Sequence, residues 1–439
     1  MRKYILTLAG LLIGNATVFA QVPSVSQNYV METVVKTTGK KNKNNLGVLP
    51  IDSANRTINY LDGLGRPLQT VQWKASPLKR DIVQPVVYDA FGREAIKYLP
   101  YADNGIADGG LRSTALATQA SFYSTGSWDA NIVKTPFPYS KTVFEASPLN
   151  RVLEQGAPGG TWQPAVSRST TGGRTVVQKY GANVSNDEVK LWTLTANGAS
   201  SSGNYAVGKL YKSTTHDENW DGGYSVVGTT ETFTDLEGRV VLKRVLENPS
   251  SKLDTYYIYD DLGNLRYVVP PAVTATSFTE TDVNFINYIY GYHYDGRKRV
   301  IEKKIPGKGW EHIVYNKLDQ VVLTQNANER ALSRWTFTKY DVHGRVVLTG
   351  IFASGTDRAG LQTAVDAQLH LWEQRESNGG TDYSNNTIPT TGINRWMVFN
   401  YYDDYSARDM GVQMPATGTY NLHPKGLLTW SRVWHDNGS

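Results

Sequence analysis

The residues of this chain that could do chemistry are seven histidines and a few paired acids. His216-Asp217-Glu218 sets three metal-ligating side chains in succession and could meet a cation. Asp260-Asp261 and Asp403-Asp404 could chelate calcium, and Glu311-His312 is an acid beside a base. Each pattern falls short of a site. No two histidines take the His-Glu-x-x-His spacing, and His293, His343, His370, His423 and His435 stand singly. Glu311 and His312 lie in an expected strand, where neighbours face opposite sides. The acidic pairs lack the alternating ligands of a calcium loop, and His216-Asp217-Glu218 sits in a polar stretch that reads as a solvated loop. There is no Gly-x-Ser-x-Gly elbow and no phosphate loop. The absence of cysteine excludes thiol catalysis, cysteine metal sites and disulfides. A carboxylate pair for glycoside hydrolysis meets only in a fold, and nothing here points to one. The expectation is a chain without catalytic, cofactor-binding or metal-binding residues of its own.

The elements explain what the polar residues do instead. An aromatic residue, Asp, two residues, Gly and Arg recur, followed by an apolar run. The pattern reads Tyr88-Asp89-Ala90-Phe91-Gly92-Arg93 and Tyr340-Asp341-Val342-His343-Gly344-Arg345. Variants hold Asp62, Gly65 and Arg66; Asp235, Gly238 and Arg239; and Asp260 with Gly263. Asp opens a type I turn by bonding the backbone ahead of it, and Gly closes the turn as a left-handed bulge. The flanks Pro85-Val86-Val87, Tyr256-Tyr257-Ile258, Val240-Val241-Leu242 and Val346-Val347-Leu348 are strand formers. These Asp, Gly and Arg residues are therefore expected to be structural, with the Tyr and Arg of one hairpin meeting across its strands.

Degenerate copies extend the array. Tyr294-Asp295 is followed by Lys298 where Gly is expected and then by Arg299. Tyr315-Asn316 keeps the outline, Phe144-Glu145 with Arg151 is a weaker relative, and Tyr402-Asp403 starts another. Steps from Asp235 to Asp260, Asp295, Asn316 and Asp341 are 25, 35, 21 and 25 residues by subtraction. An irregular period of that size suits stacked hairpins with insertions.

Between the hairpins, residues 107–125, 279–289 and 357–375 suggest short helices. The last is the clearest, with Leu361, Val365, Leu369 and Trp372 at helical spacing and Asp357 as its cap. Residues 21–50 read as a loose, Asn/Lys-rich lead-in. Residues 156–175 and 196–204 read as Gly/Ser/Thr-rich loops, with strands at 175–180 and 189–194 between them.

The N-terminus has the form of a secretory signal. Arg2 and Lys3 precede an apolar stretch, and Val18-Phe19-Ala20 suits cleavage before Gln21. The apolar run is short for a transmembrane anchor, and no other run could span a bilayer. The net charge of +5 falls to +3 without Arg2 and Lys3, a mild excess. Lys40-Lys41-Asn42-Lys43 and Arg297-Lys298-Arg299 with Lys303 and Lys304 are the basic clusters. They read as exposed strand-edge charges, and export argues against a nucleic-acid partner. Forty glycines and 27 tyrosines favour turns and strands over helices.

The Tyr-Asp pairs resemble the YD repeats of Rhs proteins. Tyr294-Asp295-Gly296-Arg297, Lys303 to Trp310 and Trp335 to Asp341 are similar to secreted Rhs-type proteins of Bacteroidota, in which an uncharacterised N-terminal domain precedes the repeats. Tyr60 to Gln69 fits that domain. The resemblance implies a mainly β fold of repeated hairpins winding into a spiral sheet or partial shell, with a few short helical insertions. With the signal peptide read at 1–20, it divides the rest into an N-terminal β-rich domain at 21–204 and a YD-repeat array at 205–439, incomplete at its C-terminus. In that family the shell can enclose a C-terminal toxin, and a self-cleaved core segment ends it. Neither toxin nor core segment is matched here. The expected function is a non-enzymatic exported scaffold that encapsulates or presents a C-terminal toxin or effector, secreted or on the surface of a Gram-negative bacterium. The alternative is a cell-surface adhesion or carbohydrate-binding repeat protein, with glycans as partners.

Overall fold

The computed structural model describes residues 4–6, 23–37, 49–105, 107–168, 172–222, 226, 228–248, 250–376, 380–405 and 424–434. The fold is mainly β, built from antiparallel hairpins with a few short helices. Two compact units divide the chain: residues 1–183, 211–233 and 244–253, and residues 184–210, 234–243 and 254–439.

In the first unit, strand Asn28–Val35 pairs with Ala54–Leu61, which pairs with Pro67–Gln72, which pairs with Ile82–Val87. The ladder continues through Ile96–Tyr98, Tyr139–Phe144, Val152–Gly156, Val176–Ala182 and Tyr211–His216. Ala54–Leu61 alternates buried with less buried residues, as a sheet with one covered face requires. Its inward Ile58 and Tyr60 join Val71, Val83 and Tyr101 against helix Ala115–Phe122, which contributes Ala115 and Phe122. The lead-in is thus partly ordered, because Tyr29 and Met31 of its strand pack on this core. Of the expected signal segment, only the backbone of Tyr4–Leu6 is described, paired with Met31–Thr33; the rest of it, and Lys40-Lys41-Asn42-Lys43, lie outside the described residues.

The second unit holds a continuous meander. Residues 254–259 and strands Leu265–Val269, Tyr290–Tyr294, Val300–Ile305, Gly309–Tyr315, Val321–Gln325, Arg334–Tyr340, Val346–Ala353, Ile393–Tyr402 and Leu428–Val433 each pair antiparallel with the next. Val314, Leu323, Trp335, Phe337 and Phe352 form its core, covered by Leu361 and Val365 of helix Arg358–Ala367. A small separate sheet joins Lys190–Thr195, Gly198–Asn204 and Ser277–Thr279.

Two expectations need correction. Residues 196–204 are not a loop: Gly198–Asn204 is the returning arm of a hairpin, its Ala199 buried beside Phe278. Small polar side chains do not prevent pairing when both neighbours supply ladder partners. The helix expected at 357–375 ends at Ala367. Asp357 caps it by accepting from the Gly360 N–H at 2.8 Å. Gln368 turns extended and its side chain accepts from the Ile388 N–H, so Leu369, at 93% exposure, falls outside the apolar stripe. Elsewhere the helical stretches shorten to Ala115–Phe122 and Val283–Tyr288.

At five of the turns, those of Asp62, Asp260, Asp295, Asn316 and Asp341, the strand register slips beside the aromatic position. The slip falls between Tyr60 and Leu61, Ile258 and Tyr259, His293 and Tyr294, Val314 and Tyr315, and Lys339 and Tyr340. This is the bulge that a left-handed fourth turn residue produces. Gly344 holds that place with φ +75°, and a Cβ there would lie 3.1 Å from Gln320 Nε2. Gly344→Val is expected to cost about 1–2 kcal/mol through the left-handed backbone alone. A shift of the urea midpoint with an unchanged slope would show it; an unchanged midpoint would refute the strain argument.

Candidate functional site: a ladder of hairpin turns

The turn atoms repeat closely. In the Asp341 turn, Oδ1 accepts from the His343 and Arg345 N–H groups, both at 2.9 Å, while Oδ2 accepts from Arg345 Nε at 2.6 Å. Asp341 N–H donates to the Arg345 carbonyl and Gly344 N–H to the Asp341 carbonyl, each at 3.0 Å. The Asp62–Gly65–Arg66, Asp89–Gly92–Arg93 and Asp235–Gly238–Arg239 turns repeat every one of these bonds. The Asp260–Gly263 turn repeats them with the amide of Asn264 in place of the guanidinium. Degenerate copies conserve the geometry with other residues. Lys298 and Asp319 take the left-handed place with φ 62° and 61°. Asn316 and Gln320 form the uncharged version, joined amide to amide at 2.7 Å. Asp403 closes with Leu427: its N–H donates to the Leu427 carbonyl at 3.2 Å and its carboxylate accepts from the Gly426 N–H.

The expectation that Tyr and Arg meet within one hairpin is corrected. Each Arg stays beside the acid of its own turn, Asp in five cases and Glu145 for Arg151, but lies over the aromatic ring of the following hairpin. Arg66 covers Tyr88 at 4.4 Å, Arg93 covers Phe144 at 4.5 Å, and Arg151 covers Tyr180 at 4.4 Å. Arg239 covers Tyr259 at 5.3 Å, Arg299 covers Tyr315 at 4.5 Å, and Arg345 covers Tyr402 at 4.4 Å. The covered tyrosine then reaches back. Its hydroxyl donates to the carbonyl just after the preceding turn: Tyr88 to Pro67, Tyr180 to Val152, Tyr259 to Val240, Tyr315 to Val300 and Tyr402 to Val346, at 2.9 to 3.1 Å. Tyr294 and Tyr340 keep this bond, to Leu265 and Val321, although Asn264 and Gln320 replace the cation. The motif is therefore both a turn and a joint between neighbouring hairpins, combining cation–π stacking with a hydrogen bond.

Charge follows the same path. Arg345 reaches Asp403 with two bonds, of 3.0 and 2.7 Å. That pairing and the Gly426 N–H hold the Asp403 carboxyl down at about 2. Hydrogen bonds to Asp403 and Asp341 together raise the Arg345 guanidinium further above its usual range. Arg299 likewise spans Asp295 and Asp319.

The other candidate residues are accounted for by packing. His216 is buried, not in a solvated loop: its ring stacks on Trp220 at 3.9 Å and Nδ1 meets Thr229 Oγ1. Burial, helped by Lys179 and Arg168, pushes its pKa down to about 4. Arg297 and Arg299 pair with Asp319, Lys298 sits in a turn, and Lys304 is buried with Nζ on the Ile286 and Ile289 carbonyls. Within this basic cluster Lys304 is core and Arg299 a joint, whereas Arg297 and Lys298 are exposed and Lys303 is partly exposed beside Glu311. His343 and His370 are exposed; His423 and His435 lie outside the described residues. Among the described residues no group of acids and histidines could hold a metal ion, and no helix is long and apolar enough to cross a membrane.

One histidine cluster stands out. His293 Nε2 lies 2.9 Å from Glu280 Oε1 and Nδ1 lies 2.7 Å from Glu302 Oε2, with Trp310 stacked on the ring at 4.5 Å. Burial opposes the imidazolium, but the two carboxylates prevail and raise its pKa to about 9. A raised folded-state pKa means that its stabilisation is full below the unfolded value near 6.5 and fades as pH rises through about 9. Stability of the wild type is therefore expected to fall between pH 7 and 10, and His293→Gln to flatten that fall. Parallel curves for the two proteins would refute the assignment.

The fold and the ladder define a β-hairpin repeat protein. Residues 32–175, about a third of the chain, match the family model of a domain of unknown function, DUF6443. No curated protein matches the chain. Among solved structures it is similar to a TcdB2-TccC3-TEV crystal structure, with 14% identity and a TM-score of 0.47 over 75% of this chain. It is also similar to the Photorhabdus luminescens Tc holotoxin pore carrying TccC3-D651A, with 11% identity and a TM-score of 0.46 over 85% of this chain. The chain spans only 14% and 16% of the length of those two solved chains.

Proposed function

We infer that this chain is a non-enzymatic wall segment: an exported YD-repeat scaffold of the Rhs type that encloses or presents a C-terminal toxin or effector. The observation that supports this reading is the ladder. The polar residues of the motif are spent on joining one hairpin to the next, and that is what a wall needs and a catalytic centre does not. The alternating strands bury one sheet face, and the joints set the spacing of the turns. In this role the chain performs no reaction; it keeps a tethered domain from solvent until release.

The test begins with the reading frame beyond the codon for Ser439. A continuing frame with further Asp-x-x-Gly-Arg turns and a distinct terminal domain supports the reading. The longer product should then protect that domain from protease until the wall is denatured. A stop codon directly after Ser439, or a terminal domain cleaved as fast as the isolated domain, would sink it.

A second reading rests on one cleft. Trp372, His343, Arg375, Tyr402, Asp403 and Asp404 line a hollow of about 470 Å³, and an exposed aromatic beside carboxylates suits a sugar ring. Retention on a glycan array that Trp372→Ala abolishes would favour carbohydrate binding.

A further inference from the structure

The buried pair Lys339–Glu373 is used by neither the ladder nor the cleft chemistry. Both side chains are wholly inaccessible, with Nζ 2.9 Å from Oε1. Nζ also lies 2.5 Å from the Asn385 carboxamide oxygen and 2.8 Å from the Thr387 carbonyl. Glu373 is fixed in place by Ser384 Oγ, Thr387 Oγ1 and the N–H groups of Asn386 and Thr387. An amine, a carboxamide and a carboxylate thus meet in a site that excludes water from the amine. The other end of the carboxamide points outward. Asn385 is exposed and its Nδ2 donates to the Thr390 carbonyl at 2.8 Å, so a small leaving group has a path to solvent.

We propose that Lys339 and Asn385 form an intramolecular amide cross-link, with Glu373 as the proton carrier. Nζ gives one proton to Glu373, and its lone pair forms the bond to Asn385 Cγ. A second Nζ proton passes to Nδ2. The Cγ–Nδ2 bond breaks with its electron pair, and ammonia leaves, taking the proton held by Glu373 to depart as ammonium. Nothing is oxidised or reduced, and no co-reactant is needed. Burial favours the neutral amine that must attack and lowers the lysine's pKa, while close positioning replaces an intermolecular encounter. The product ties strand Arg334–Tyr340 to the segment around Asn385. It gives a chain without cysteine a covalent brace of the kind disulfides supply elsewhere.

The test is mass spectrometry of the purified full chain after tryptic digestion. Arg345, Arg358 and Arg375 separate the two residues, so a cross-link yields one branched peptide containing both, lighter than its parts by one ammonia. That peptide is expected in the wild type and absent from Lys339→Arg, Glu373→Gln and Asn385→Ala. Asn385→Ala changes an exposed loop position, so its loss of the cross-link would not reflect misfolding; its far-ultraviolet circular dichroism should match wild type. Recovery of Lys339 and Asn385 on separate linear peptides in the wild type overturns the proposal. So does an ammonia loss confined to a cyclised Asn385 or an N-terminal glutamine, or a cross-link that persists in Glu373→Gln.

Discussion

Measured against the chain with the Lys339–Glu373 ion pair intact and no cross-link formed, Glu373→Leu should destabilise the protein by about 3–5 kcal/mol, because it strands the Lys339 ammonium in a site with no access to water. The remaining acceptors, Asn385 Oδ1 and the Thr387 carbonyl, carry no charge to balance it. The Ser384, Asn386 and Thr387 donors lose their acceptor at the same time. Lys339→Met should cost a similar amount, since it isolates the carboxylate instead. The double variant Lys339→Met/Glu373→Leu should recover part of the loss, because neither charge is then buried. Urea denaturation of the three proteins checks this. Additive losses in the double variant would mean that the two residues act independently, contrary to their geometry.

The second large effect belongs to the turn. Asp341→Ala should cost about 2–3 kcal/mol, because one carboxylate accepts from two backbone N–H groups and from Arg345. Asp341→Asn should cost far less. Asn316 shows within the same chain that a carboxamide can accept from the Leu318 and Gln320 N–H groups in this geometry. The contrast between Ala and Asn separates capping from charge, and thermal melts of both variants would reveal it. Equal losses would mean that the Arg345 ion pair, not the cap, is what the turn depends on.

The hairpins were readable in the sequence because their information is local. Asp accepts from its own turn, and Gly supplies a backbone angle, so six consecutive residues suffice. The cap at Asp357 was readable for the same reason. The joint was not, because it links Arg345 to Tyr402 across a long insertion. Nothing in either hexamer names its partner. A usable signal does exist in retrospect: aromatic and Arg occupy opposite ends of the same motif, so stacking the motifs in register brings one copy's Arg toward the next copy's ring. The end of the helix at Ala367 was illegible because Leu369 and Trp372 keep the helical spacing by coincidence. The chain leaves the helix there because Glu373 is held in the buried pair with Lys339 and Gln368 bonds Ile388. His216 misled in the same way, since its neighbours in sequence are polar while its neighbour in space is Trp220.

Two of the joints keep nearly the same stacking distance although very different lengths of chain intervene. By subtraction, 16 residues separate Arg299 from Tyr315 and 57 separate Arg345 from Tyr402, yet the stacking distances are 4.5 and 4.4 Å. Helix Arg358–Ala367 and its flanking segments enter between those two rungs without lengthening the step. The coupling is therefore indifferent to the cassette inserted on the way, as a clasp is to the slack in a cord. Such a molecule can diversify by insertion at the ends of its strands away from the Asp turns. A loop or helix can lengthen there without altering the stacking contact that joins the hairpins on either side of it.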